Sequence, residues 1–212
     1  MNAIALLKTD HRAVEELFDK LDQLDGKSRG KKTLVEKLIR ELSIHAAIEE
    51  EIFYPEVKRS VPGGAEIVYE SLEEHGVVKW ELSALQSMDL TDERFDAKLK
   101  VLKDTLLHHI DEEENELFPM VRDAFEASKL NELGASLERA KKTAPTRPHP
   151  RAPDEPPANI IANAGASVVD RARDAGRAMV RGRTPAKRAR PKRARAAATR
   201  STGASRSSRA SR

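Results

Sequence analysis

LVEKLIRELSIHAAIEEEIFYP, residues 34–55, carries a helical stripe of apolar side chains that turns polar part-way along. Leu34, Leu38 and Leu42 recur at the three-to-four-residue step of one helix face, and Ile52 continues the row. The positions between them on that row, 45 and 49, are His and Glu. Both therefore point where the core should be. Burying a carboxylate without a partner is costly, and Glu is rarely buried unpaired. Residues at i and i+4 have Cβ atoms about 6 Å apart on one face, so His45 and Glu49 can reach one shared cation.

The pattern returns in LKVLKDTLLHHIDEEENELFP, residues 99–119. One constant offset pairs His45 with His109, Glu49 with Glu113 and Pro55 with Pro119. The same offset pairs His11 with His75, Val14 with Val78, Phe18 with Leu82, Leu38 with Leu102 and Leu42 with Leu106. His11 fills the gap in the row Ile4, Leu7, Val14, Phe18, and His75 extends the row Val78, Leu82, Leu85 backwards. Two helical hairpins related by a pseudo-two-fold axis account for this register.

Helix breakers set the boundaries. Gly26 and Gly30 make one break, Pro62-Gly63-Gly64 a second, and the polar stretch Met88–Asp92 a third. The predicted helices are 3–24, 31–59, 65–87 and 92–127. Short connections favour antiparallel neighbours, so the expected fold is all-α: an up-down-up-down antiparallel four-helix bundle over residues 1–130. Aromatic residues make up only 4% of the chain and charged residues 34%, which suits amphipathic helices better than a sheet core. Pro55 and Pro119 are expected to kink or end their helices just beyond the polar positions.

Four His and two Glu thus fall in phase on four helices, and cations shared among them would compensate their burial. Imidazole and carboxylate donors without sulfur suit iron or manganese, and zinc accepts them too. The chain has no cysteine, so thiolate ligation and disulfides are excluded. Neither a signal peptide nor a membrane anchor is expected from the first residues. No window approaches the ~18 apolar residues of a bilayer span, so no membrane partner is expected. A cytoplasmic location is the expectation.

These residues resemble the hemerythrin (HHE cation-binding) family. The family pattern is a His on helix 1, His-x3-Glu on helix 2, a His on helix 3 and His-x3-Glu on helix 4. Here it reads Asp10-His11, His45-Ala46-Ala47-Ile48-Glu49, Glu74-His75 and His109-Ile110-Asp111-Glu112-Glu113. Each His-x3-Glu is followed by an apolar pair and a proline, Phe53-Tyr54-Pro55 and Leu117-Phe118-Pro119. The resemblance covers residues 3–127. It implies a non-haem centre of two iron ions, with His11, His45, His75 and His109 as terminal ligands and Glu49 and Glu113 as bridges. Oxygen-carrying members place a second His four residues after the helix-3 His, where this chain has Lys79. One imidazole fewer implies an open coordination position. That favours reaction with dioxygen, hydrogen peroxide or nitric oxide, including peroxide disproportionation, or iron sensing, over stable oxygen carriage.

Some assignments stay open at this level. Glu114, five residues after His109, competes with Glu113 for the bridging role. Glu50 and Glu74 are either acceptors for the outer imidazole N–H groups or solvated carboxylates. Tyr54 is read as core packing before proton donation. His108, one step out of phase, is expected at the surface, and His149 is not expected to bind metal.

The charge divides sharply. Residues 1–140 carry a net −12 and residues 141–212 a net +15. Residues 141–158 read as a Pro-rich extended linker. Residues 159–181 read as a short amphipathic helix whose apolar members are Ile160, Ile161, Val168, Val169 and Met179. Residues 182–212 are Arg/Ala/Ser-rich and are expected to be disordered. This basic tail implies sequence-independent contact with nucleic acid, or with the acidic bundle itself. An iron- or oxygen-responsive sensor held on nucleic acid is therefore the alternative to an enzyme.

Overall fold

The computed structural model describes residues 1–24 and 28–182. Gly26 of the first break lies outside the described residues. So do the basic residues from 183 on, with the expectations of disorder and of nucleic-acid contact that rest on them. Every regular element among the described residues is helical. In chain order they are α1 (Ala3–Asp22), α2 (Arg29–Ile48), a π-helical turn (Glu49–Phe53), α3 (Tyr54–Ser60) and α4 (Gly64–Ser87). Then follow α5 (Phe95–Glu112), a second π-helical turn (Glu113–Leu117), α6 (Phe118–Ala124), α7 (Ala127–Lys141) and α8 (Ala158–Gly182). α2 runs without a break through its π turn into α3, and α5 through its own into α6. The expected four-helix bundle therefore stands, with α1 packed on α2 and α4 on α5.

Local chemistry sets the ends. The Asn2 side chain caps α1 by accepting from the Ala5 N–H at 2.8 Å, and Ser28 Oγ caps α2 by accepting from the Lys31 N–H at 3.1 Å. Gly63 turns the chain between α3 and α4 with φ of 75°, a left-handed conformation that favours glycine.

Pro55 and Pro119 do not end their rods. A proline lacks an N–H, and its ring crowds the carbonyl four residues back. The turn before each one widens instead: the Tyr54 N–H bonds the Glu49 carbonyl and the Phe118 N–H bonds the Glu113 carbonyl, five residues back in both cases. The wider turn shifts the phase of the rod, so the consecutive residues Glu49 and Glu50 are both buried, and Phe53, Tyr54 and Val57 beyond them face the core.

The apolar core is split in two. One cluster includes Leu7, Ile48, Phe53, Tyr54, Leu72, Leu117 and Phe118. The other includes Val14, Phe18, Leu38, Leu42, Val78, Leu82, Leu102 and Leu106. On every helix the candidate ligand lies between a member of one cluster and a member of the other. The polar residues thus form a layer across the bundle, sealed by apolar side chains on both sides.

The predicted fourth helix stops early, and a fifth follows. Phe125 and Glu126 are extended, then α7 lays Leu130, Leu133 and Leu137 into the first cluster. Three leucines among charged residues make a short stripe that sequence periodicity does not separate from the preceding helix. Gly134 lets α7 approach the chain start: an added Cβ would lie 2.7 Å from the Asn2 carbonyl carbon and 2.8 Å from the Ala3 nitrogen. Gly134→Ala is therefore expected to destabilise the fold by about 1–3 kcal/mol in urea unfolding. An unchanged midpoint would contradict this close approach.

The Pro-rich stretch after α7 lies against the bundle, with Ala144, Pro145 and Thr146 buried. The buried Asp170 of α8 accepts from the Thr146 N–H at 3.1 Å and faces His149 Nε2 at 3.1 Å. Asn159 at the start of α8 donates to the Glu50 carbonyl at 3.1 Å, and Asn163 to Glu51 at 2.7 Å. α8 is thereby tied to the π turn of the second rod. No helix among the described residues is long and apolar enough to cross a membrane.

Candidate metal centre

All six candidate ligands meet in the polar layer, each at most 4% exposed. His11 and His45 face each other with ring centroids 4.9 Å apart, and His75 and His109 do so at 4.8 Å. The two glutamates run between the pairs. Glu49 Oε2 lies 3.1 Å from His45 Nε2 and 3.5 Å from His75 Nε2. Glu113 Oε2 lies 3.2 Å from His11 Nε2 and 3.7 Å from His109 Nε2. Each carboxylate therefore reaches one histidine of each pair. Ligand atoms of His11, His45, Glu49 and Glu113 lie within 4.8 Å of one another, as do those of Glu49, His75 and His109.

Every imidazole presents Nε2 to the centre and Nδ1 to a carboxylate behind it. His11 Nδ1 meets Glu114 at 3.0 Å, His75 Nδ1 meets Glu50 at 3.0 Å, and His109 Nδ1 meets Glu74 at 2.7 Å. His45 Nδ1 lies 3.6 Å from Asp10. Such outer carboxylates fix ring orientation and raise ligand basicity. Three are themselves held by lysines: Glu114 by Lys8, Glu50 by Lys79 and Asp10 by Lys141. Glu113 is inside and Glu114 outside, 20% exposed, which separates the two residues left open above. Lys79 turns away from the centre to its partner Glu50. His108 is at the surface beside Glu112, as expected.

The charges at the centre do not balance by themselves. Both carboxylate oxygens of Glu49, Glu113 Oε2, His11 Nε2 and His45 Nε2 are buried without a hydrogen bond of good geometry. Native proteins seldom leave so many buried polar atoms unmatched in one place. Burial, then the nearby Glu113, pushes the Glu49 carboxyl well above its usual range. Burial would raise Glu113 too, but His109, His11 and His45 around it hold it far below. The two carboxyls are thus driven apart, Glu49 toward its neutral form and Glu113 toward its ionised form, and a cation between them would let both ionise. The donor set therefore fits a metal.

Burial lowers His45 from its ordinary 6.5 to about 4. The unfolded chain then takes up a proton below pH 6.5 that the folded chain refuses until about pH 4, so His45 costs stability as pH falls through that window. His11 acts in the opposite sense: burial would lower it, but Glu113 and Glu114 raise it above 6.5, so its contribution is lost as pH rises. Comparing metal-free wild type with His45→Gln isolates the first effect. Wild type should lose about 2 kcal/mol more than the variant between pH 7 and pH 5 in urea unfolding. Parallel curves would contradict it.

The hemerythrin HHE cation-binding domain model matches residues 2–121, more than half of the chain. The chain belongs to this family. An uncharacterized hemerythrin-like protein of Schizosaccharomyces pombe is 31% identical over 169 residues, which span 78% of this chain and 81% of the relative. A DNA nickase of a Nostoc species is 26% identical over 141 residues, 66% of this chain but only 39% of the nickase. The crystal structure of a hemerythrin HHE cation binding domain-containing protein from Mycobacterium kansasii superposes with a TM-score of 0.59 at 26% identity. It covers 67% of this chain and 88% of that one. The hemerythrin-like chain is thus a helical, cation-binding protein.

Sequence reasoning passed over two features of this hemerythrin-like site and ranked a third, Tyr54, as packing first. Asp10 stands behind His45, and Lys141 of α7, beyond the matched region, holds Asp10 in place. The repeat contains a signal for the first: the offset that pairs the ligands also pairs Asp10 with Glu74 and Glu50 with Glu114, which together make the outer ring. Tyr54 is the third. Its hydroxyl donates to Glu113 Oε1 at 2.9 Å and lies 3.2 Å from His75 Nε2. It is therefore more than packing. The phase shift of the π turn aims it inward, and helix periodicity does not anticipate that. Phe118, its counterpart, stacks on His11 with centroids 5.8 Å apart and has no hydroxyl to offer.

Proposed function

We propose that His11, His45, His75, His109, Glu49 and Glu113 hold two iron ions, and that the protein acts on a small oxidant or gas: dioxygen, hydrogen peroxide or nitric oxide. The observation that supports it most is the meeting of six buried ligand groups, with inward atoms of His11, His45, Glu49 and Glu113 left without partners. His11 and His45 would serve one ion and His75 and His109 the other, with each glutamate spanning the pairs. Iron so held supplies a Lewis-acidic site that can exchange electrons with such molecules.

The chain's own residues define the surroundings. The two apolar clusters exclude bulk water from the layer, which strengthens electrostatic interactions there and limits side reactions. Burial, together with Glu113 and Glu49, raises the Tyr54 hydroxyl well above its ordinary value, so it keeps its proton at neutral pH. That proton lies beside His75 and Glu113, on one side of the centre only. Tyr54 is thus placed to donate to a small molecule entering there. Lys79, committed to Glu50, adds no ligand, which leaves room for that molecule.

The test is metal analysis followed by an assay. After anaerobic reconstitution with ferrous iron, about two ions per chain should be retained. The loaded protein should consume peroxide or give a nitric oxide absorption band. Tyr54→Phe should keep the iron and slow peroxide consumption about 10- to 100-fold. A wild-type protein that retains no iron would end the reading, and unchanged peroxide kinetics in Tyr54→Phe would remove the tyrosine from it.

A further inference from the structure

The last described helix, α8, is turned inside out. Asn159, Asn163, Ser167 and Asp170 recur at helical spacing and are buried at 0%, 8%, 7% and 0%. This polar side faces the bundle because it has specific partners there: the Glu50 carbonyl, Glu51, the Thr146 N–H and His149. Directly opposite lie Ile161, Val168 and Met179, exposed at 74%, 69% and 71%, and Ile160 and Val169, exposed at 47% and 48%, flank them on either edge. A helix with an apolar face ordinarily buries it. A contiguous exposed aliphatic stripe marks an interaction surface.

Along α8 itself the exposed charged side chains that are described have one sign. The two acids of α8, Asp170 and Asp174, are turned inward and paired with Arg147. Arg173 and Arg177 are exposed. The chain then continues through residues 183–212 with eleven Lys or Arg and no Asp or Glu. The bundle behind is acidic, with a net charge of −12 over residues 1–140. An anionic plane would therefore attract the α8 side and repel the far side, fixing which face docks.

We propose that the α8 stripe docks on the surface of an anionic lipid membrane. The aliphatic side chains enter the headgroup boundary, and the positive charge that the sequence carries after α8 favours an anionic lipid over a neutral one. This is peripheral attachment, and it does not require a spanning helix. Nucleic acid would engage the basic residues but leaves the aliphatic stripe without a role. A second copy is disfavoured by size, because five aliphatic side chains fall short of the roughly 800 Å² per partner of a stable interface. The stripe also lacks the aromatic residues enriched in protein interfaces.

Flotation with vesicles tests this on the full chain. Wild type should float with vesicles of equal phosphatidylglycerol and phosphatidylcholine, and not with phosphatidylcholine alone. Added salt should weaken the binding. Ile161→Glu combined with Val168→Glu should lower the bound fraction about tenfold or more, and the Ala double variant by less. Helix content by circular dichroism and metal content should be unchanged in both. Undiminished flotation of the Glu double variant would overturn the role of the stripe. A wild-type dimer in light scattering that this variant dissolves, without vesicle binding, would assign the stripe to a second copy. Retention of a DNA fragment without flotation would assign the basic segment to nucleic acid. Either result overturns the proposal.

Discussion

Glu49→Ala is expected to lose both metal ions at once, whereas His45→Ala should lose one. The reason is geometric. Glu49 Oε2 lies within 3.1 Å of His45 Nε2 and 3.5 Å of His75 Nε2, so it serves both histidine pairs. His45 faces only the His11 side. Removing the carboxylate takes a donor from each ion and also takes away a negative charge between them, so the remaining cations repel with less screening. Glu113→Ala should match Glu49→Ala, because Glu113 spans His11 and His109 in the same way. The measurement is the metal-to-protein ratio after reconstitution and desalting. It should be about two for wild type, about one for His45→Ala and near zero for either glutamate variant. A full complement in Glu49→Ala would show that the carboxylates are not shared.

The second large effect is a reversal of sign with metal. In metal-free solution the centre is a burden: two carboxylates are buried together, and several of their oxygens lack hydrogen-bond partners. A buried polar group without a partner costs about 1–3 kcal/mol, and an apolar side chain of similar size removes that cost. Metal-free Glu49→Leu should therefore melt above metal-free wild type, by about 2–4 °C per kcal/mol for a chain of this length. With metal the order should invert. A ligand at about a thousand times its dissociation constant stabilises the folded state by about 4 kcal/mol. Wild type should gain on the order of 10 °C on loading, and Glu49→Leu almost nothing. Scanning calorimetry on the two proteins, each with and without iron, gives all four values. If metal-free Glu49→Leu melts below metal-free wild type, burial of the acid was not costly and the case for a compensating cation loses its foundation.

Much of this was legible in the residue order. His11, His45, His75 and His109 interrupt apolar rows in phase, so their inward direction followed from helical periodicity alone. The repeat supplied the pairing of hairpins and, through the match of Asp10 with Glu74 and of Glu50 with Glu114, contained the outer carboxylate ring as well. Periodicity lost its hold after the prolines. A π turn changes the residue count per turn, and the sequence shows only the proline that provokes it. That is why Tyr54 read as packing although its hydroxyl reaches Glu113. The short stripe of α7 and the inverted α8 were missed for a related reason. Their orientation depends on partners remote in sequence: the close approach at Gly134, and the bonds of Asn159 and Asn163 to the π turn.

The order of residues by itself determined that this chain forms a helical bundle with four histidines and two glutamates turned inward, because the 3.6-residue period assigns a face to every position on a regular helix. The tertiary structure alone decided which carboxylate stands behind each imidazole, that Glu113 rather than Glu114 enters the centre, and that α8 shows its aliphatic side outward. Those outcomes depend on distances between separate helices and on turns that depart from the regular period, and no local rule of spacing contains either.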